Sequence, residues 1–251
     1  MKVPVRQVLI GVLVAAVSLL SAVPPAAAWN SKDCVTASGA DYCYAGFTST
    51  HAHAGIDGYI YGATNNVALG AEVDNWIQIG QSGTQWVQAG WEQTYSDAVP
   101  VAYWENVDAC GQRTTGEWNV HGPANKAFYI TSTGQSYYGV RGCGLVEYLY
   151  YVRIGSLTST PVAAYLSSPT MQAFAKTEIS NSVGYWPSVG KTYFGCNASH
   201  NAGGGYQISL YDGGTWHSWT SSYDTISVSN NANPPVWHSL VNYSSFWTSQ
   251  S

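Results

Sequence analysis

Charge is what this chain has least of. Only 9% of its residues are Asp, Glu, Lys or Arg, and 14 acidic residues outnumber 9 basic ones. No run of Lys or Arg is present to track a phosphate backbone or an anionic bilayer, so neither nucleic acid nor membrane is an expected partner. No Cys-x-x-Cys pair occurs, which excludes a zinc ribbon. The nucleophile elbow Gly-x-Ser-x-Gly is missing, as is a glycine-rich loop opening a helix, which argues against a serine hydrolase and a nucleotide site. No window of a dozen residues holds a helical period, and no internal repeat or disordered linker breaks the chain. The one long apolar run, Val8 to Leu20, is short for a bilayer span. Lys2 and Arg6 precede it, and Pro24-Pro25 and Ala26-Ala27-Ala28 follow. This is the pattern of a secretory signal, with cleavage expected after Ala28 and residues 29–251 forming one exported domain.

What is abundant is aromatic and small: 19 Tyr, 11 Trp and 26 Gly. With little charge and much Ser and Thr, this composition fits secreted β-proteins that handle polymers. Short alternating runs recur along the chain: Ile56–Tyr61, Val67–Ala71, Asn75–Gln81, Gln85–Gln93, Val99–Asn106, Ala127–Thr131, Leu145–Ile154, Val162–Leu166, Met171–Ser180, Thr192–Gly195, Tyr206–Tyr211, Thr215–Thr220 and Thr225–Val228. Residues 29–45 read as a short cysteine-stapled entry to the domain. Many short strands with turn signals between them predict an all-β fold, two antiparallel sheets packed as a jelly-roll or concanavalin-like β-sandwich. Export makes disulfides expected among the five cysteines. The working assignment is Cys34–Cys43 and Cys110–Cys143, with Cys196 left over, although the sequence alone leaves other pairings open.

The most informative stretch runs from Asn75 to Trp91 and reads as a hairpin. Ile77 and Ile79 share one face with Val87, Ala89 and Trp91, while Trp76 and Gln78 share the other with Trp86 and Gln88. Indoles and amides side by side on a non-core face resemble a groove floor more than a solvated surface. In Met171–Ile179, likewise, Gln172, Phe174, Lys176 and Glu178 lie opposite a face of small and apolar residues. If the two strands share a sheet, Gln88 and Glu178 could face each other across a groove.

Four blocks occur in order: Trp76-Ile77-Gln78-Ile79, Val87-Gln88-Ala89-Gly90, Ala102-Tyr103-Trp104-Glu105 and Thr177-Glu178-Ile179. This order resembles the eqolisin glutamic peptidases over roughly Gly55 to Gly195. The chain resembles a group of secreted actinobacterial and phage proteins more closely still, through the Gly-x-x-Gly-Tyr-Ile opening at Gly55 to Ile60 and the Trp-Val-Gln-x-Gly-Trp core at 86–91. The eqolisin resemblance implies a secreted endopeptidase in which Glu178 activates water and Gln88 donates its amide N–H to the oxyanion. Trp76, Trp86 and Glu105 would line or support the groove. No cofactor is implied, and a monomer acting on a polypeptide or polysaccharide is expected. The chain departs from the family at two supporting carboxylates, with Gly80 and the region of Val101 standing where the family carries aspartates. Its glutamate block reads Lys-Thr-Glu-Ile rather than Ala-Glu-Trp-Ile.

Two other readings come from the residues. Leu145-Val146-Glu147-Tyr148 resembles the nucleophile strand of small jelly-roll xylanases, and Glu147 with Glu178 would be the two carboxylates of a glycosidase; the plainer reading of Glu147 is a surface residue. The hairpin from Tyr211 to Trp219 carries aromatics suited to stacking on sugars, the basis of a non-catalytic glycan- or wall-binding module. His51-Ala52-His53 could offer two imidazoles to a metal, but no third ligand is evident, so no metal is expected.

Overall fold

A computed structural model describes residues 35–37, 40–67, 69–81, 84–139, 143–155, 161–182, 198–199, 203–230, 237–242 and 245–249. In chain order the first strands are β1 (Val35–Ala37), β2 (Ala40–His53), β3 (Gly55–Gly62), β4 (Asn66–Val67), β5 (Ala71–Gln81), β6 (Gln85–Thr94), β7 (Val101–Val107), β8 (Arg113–His121) and β9 (Ala124–Tyr138). There follow β10 (Val146–Ile154), β11 (Val162–Leu166), β12 (Met171–Ser182), β13 (Ala198–Ser199), β14 (Gly203–Asp212), β15 (Thr215–Ser218), β16 (Ile226–Asn230), β17 (Trp237–Asn242) and β18 (Ser245–Ser249). The fold is all-β, as the alternation predicts, and among the described residues no helix could cross a membrane.

One antiparallel sheet runs β1-β2-β12-β5-β6-β7-β8, with β16 added against β2. The other runs β11-β10-β9-β3-β14-β18-β17, with β15 against β14. Between them lies a core to which the first sheet contributes Phe47, Ile77, Ile79, Val87, Ala89 and Trp91, and the second Ile56, Ile60, Phe128, Ile130, Val152 and Ile208. Ile77, Ile79, Val87 and Ala89 are fully buried, so the inward face read from the hairpin is the observed one. Each such aliphatic side chain contributes roughly 1.5–3 kcal/mol by leaving water. Trp91 ties the two sheets together: its Nε1 donates to the Ile60 carbonyl at 2.9 Å, and its ring meets Phe128 edge-on at 5.8 Å.

The second sheet closes one hairpin at Asp212-Gly213-Gly214-Thr215, where both glycines take positive φ, the conformation a tight hairpin turn requires. Cys110 and Cys143 form the expected disulfide. The signal segment, Cys34, Cys196 and the Thr192–Gly195 strand lie outside the described residues. Several boundaries differ from the sequence reading. The last residues of the entry segment, from Ala40, open β2, a 14-residue strand extending to His53, and among its described side chains Phe47 is a large one in the core between small and polar neighbours. β8 is an edge strand with mostly exposed residues, and only Trp118 and Val120 pack on the core. Val67–Ala71 is not continuous, because the chain turns at Leu69-Gly70 between β4 and β5.

Candidate active site

The outward face of the first sheet carries the candidate groove, and its registers fix which side chains are neighbours. One row across the strands reads Phe174 (β12), Gln78 (β5), Gln88 (β6) and Glu105 (β7). The next reads Lys176, Trp76, Gly90, Tyr103 and Glu117, and the third Glu178, Asp74, Glu92 and Val101. Gly90 is demanded by this packing, since a Cβ there would sit 1.8 Å from the Asn75 carbonyl oxygen. Its bare backbone leaves Tyr103 and Trp76 free to cluster across it with Phe174. All three of those rings are buried, as are Gln78, Gln88 and Glu105, so the face is a packed floor rather than a wet surface.

Gln88 is held on two sides. Its Nε2 donates to the Tyr103 hydroxyl at 3.0 Å and to Glu105 Oε2 at 3.3 Å. Glu105 Oε1 accepts from Arg113 Nε at the end of β8. Burial raises the Glu105 pKa and the guanidinium of Arg113, paired to this carboxyl, opposes that rise. Trp76 is only 4% exposed, and its Nε1 has no hydrogen-bond partner among the described residues, an N–H donor on the groove side of β5. Trp86 lies beside Gly80 at the far end of the hairpin. A Cβ at Gly80 would come within 2.4 Å of the Trp86 Cβ, so the aspartate the eqolisin pattern carries at that position has no room here.

Glu178 occupies the opposite end. It stands directly across from Asp74, four residues along the strands and two strands over from Gln88, about 13 Å by about 10 Å on strand spacing. The Gln88 and Glu178 side chains thus share a sheet and a face, but the hydrogen bonds of Gln88 go to Tyr103 and Glu105. Around Glu178 gathers an acidic patch that the sequence reading missed: Glu72, Asp74 and Glu92. Its signal was present in the alternation, which puts Glu72 and Asp74 on the Trp76 side of β5 and Glu92 on the Gln88 side of β6. Burial and then the repulsion of Glu72 push Glu178 up to about 7, and burial with the same neighbour pushes Glu92 up to about 8. Asp74, buried between Glu178 and Glu92, is raised well above the usual carboxylate range, and the Tyr103 hydroxyl is raised by burial and by these same carboxylates. On the middle row, burial brings Lys176 down to about 8, with its ammonium 5.0 Å from the Phe174 ring centroid.

Glu147 is a correction. It is fully buried rather than a surface residue, because β10 turns it behind the disulfide, where its Oε1 lies 3.2 Å from the Cys110 sulfur. It belongs to the second sheet, while Glu178 stands on the outward face of the first, so the two carboxylates do not form a glycosidase pair. His51 and His53 are bound to carboxylates instead of offering a paired edge. His53 Nδ1 and Nε2 each lie 2.6 Å from an oxygen, of Asp212 and Asp224 respectively, and His51 Nδ1 lies 2.9 Å from Asp224. Thr50 and Tyr223 add hydroxyl donors to the same two aspartates, and the hydrogen bonds of Thr50 and both histidines hold Asp224 strongly ionised against the effect of its burial. This network clamps the end of β2 to the β14–β15 turn.

No family model and no curated protein matches the chain in sequence. Solved structures do match it in shape. Scytalido-glutamic peptidase with a peptide-based transition-state analogue superposes with a TM-score of 0.51 at 13% identity, over 83% of this chain and 98% of that one. SCP-B, a member of the eqolisin family of peptidases in complex with the tripeptide Ala-Ile-His, gives 0.50 at 14% identity, over 83% and 98%. At these identities the likeness is one of fold: this chain has the β-sandwich of the eqolisin peptidases.

Proposed function

We propose that this protein is an exported hydrolase that cleaves polypeptides in the groove on the outward face of its first sheet. The observation that carries the reading is the buried Gln88 amide, fixed between Tyr103 and Glu105 on a sandwich of eqolisin shape. Glu105, the carboxylate within reach of that amide, is the general base. Its carboxylate takes a proton from the attacking water, the water oxygen bonds to the scissile carbonyl carbon, and the same carboxyl returns the proton to the leaving nitrogen as the C–N bond breaks. Gln88 turns one N–H from its ground-state partner to the developing oxyanion, a donor held in place before charge appears. Arg113 favours the ionised form of Glu105 against the upward push of its burial, and Trp76, Trp86 and Phe174 floor the groove. Glu178, the base implied by family resemblance, belongs in this account to the acidic patch beyond Tyr103, where it sets the pH range over which the groove carries charge.

Export is supported by the Cys110–Cys143 disulfide, which persists in oxidising compartments. The test is cleavage of denatured protein between about pH 2 and pH 7, the range in which such carboxyls titrate. It compares the wild type with Gln88→Ala, Glu105→Gln and Glu178→Gln. Loss in the first two with a shifted pH profile in the third supports the assignment. Loss in Glu178→Gln with retention in Glu105→Gln moves the base to Glu178. No cleavage by a folded wild type leaves a groove that binds polymer without cutting it.

A further inference from the structure

Glu72, Asp74 and Glu92 each place a carboxylate oxygen so that all three lie within 4.8 Å of one another. Two oxygens on opposite sides of a calcium ion, at its usual 2.3–2.6 Å bond lengths, stand about 4.6–5.2 Å apart, so one ion can touch all three. The central residue supplies a separate observation. Asp74 is 6% exposed, and although its carboxyl is hydrogen-bonded to Glu72, its Oδ1 has no hydrogen-bond partner among the described residues. Leaving such an acceptor buried and unmatched costs about 1–3 kcal/mol, more for a charged group. The ladder sharpens the problem, because Asp74 faces Glu92 on one side and Glu178 on the other, and like charges directly opposed weaken a sheet. Of the cations of the face, Arg113 pairs with Glu105 and the Lys176 ammonium lies over the Phe174 ring, and their charges reach the patch through Lys176 acting on Glu178 and Arg113 on Glu72.

We propose that Glu72, Asp74 and Glu92 form a divalent-cation site that takes calcium in preference to magnesium. Three carboxylates on two adjacent strands supply hard oxygen ligands without the compact octahedron that magnesium demands at about 2.0–2.1 Å, and water completes the shell. The assignment does not rest on the peptidase reading, because binding is read without any substrate.

Calorimetric titration of the purified protein with CaCl2 at pH 7, after treatment with EDTA, tests it directly. The expected result is one site per chain, at least tenfold weaker for MgCl2, and affinity reduced at least tenfold in Asp74→Asn and in Glu92→Gln. The second variant, at a less buried position, guards against a misfolded first one, and circular dichroism checks both. Terbium read by luminescence sensitised through Trp76, two residues from Asp74 on β5, gives an independent signal that calcium should displace. No heat and no terbium emission at millimolar metal in the wild type overturns the proposal, leaving protons to neutralise the patch. Calcium binding undiminished in both variants also overturns it, because the ion then sits elsewhere.

Discussion

Replacing Glu178 by Gln should make the protein more stable at pH 8 while changing it little at pH 4. In the fold, burial and the repulsion of Glu72 lift the Glu178 carboxyl from 4.5 to about 7. A group whose folded pKa is raised contributes most below its unfolded pKa, and the contribution fades as pH climbs through the folded value. Glu178 therefore stops favouring the folded state between about pH 4.5 and about pH 7, a difference worth about 3 kcal/mol. A neutral glutamine keeps the size and removes the titration. It also relieves Asp74, whose own upward shift includes the charge of Glu178. The assay is urea unfolding followed by tryptophan fluorescence from pH 4 to pH 8, in EDTA so that no cation intervenes. The wild-type midpoint should fall steadily over that range and the variant's should fall less, the gap at pH 8 approaching about 1 M urea for an m-value of a few kcal/mol per M. Parallel curves would refute the reasoning, because they would mean that Glu178 titrates as it does in the unfolded chain.

Two further predictions concern the frame around the groove. His53→Ala should destabilise the protein by about 3 kcal/mol or more, since it strips Asp224 and Asp212 of a shared partner in a buried network, and the loss should be visible as a lower melting temperature. Cys143→Ser should cost about 3–4 kcal/mol by opening a loop of 33 residues, measured as a shift in the denaturation midpoint against the oxidised wild type.

The alternating strands, β5, β6 and the first part of β12, were legible because one face of each is mostly apolar and the other mostly polar, with Trp76, Trp86 and Phe174 as the aromatic exceptions. β2 and β8 were harder, since a strand with Gly46, Thr48, Ser49 and Thr50 around a lone Phe47, or one at a sheet edge with two core residues, gives little periodic signal. The site was legible in its parts and illegible in its assembly. Alternation puts Gln88, Glu105 and Glu178 on one face, but register alone decides that Gln88 meets Glu105 while Glu178 meets Asp74, and register depends on pairings between residues far apart in sequence. Glu147 misled for a similar reason, because the Cys110 sulfur that lies against it comes from 37 residues away in sequence.

The central claim is that the Gln88–Glu105 pair is a catalytic unit. The most direct measurement is the rate of cleavage of a denatured protein between about pH 2 and pH 7 by wild type, Gln88→Ala and Glu105→Gln, each checked for native fluorescence. The account predicts that both substitutions lower the rate by at least about a hundredfold, in the range found for removal of an oxyanion donor or a general base. Cleavage retained at the wild-type rate by either folded variant would contradict it.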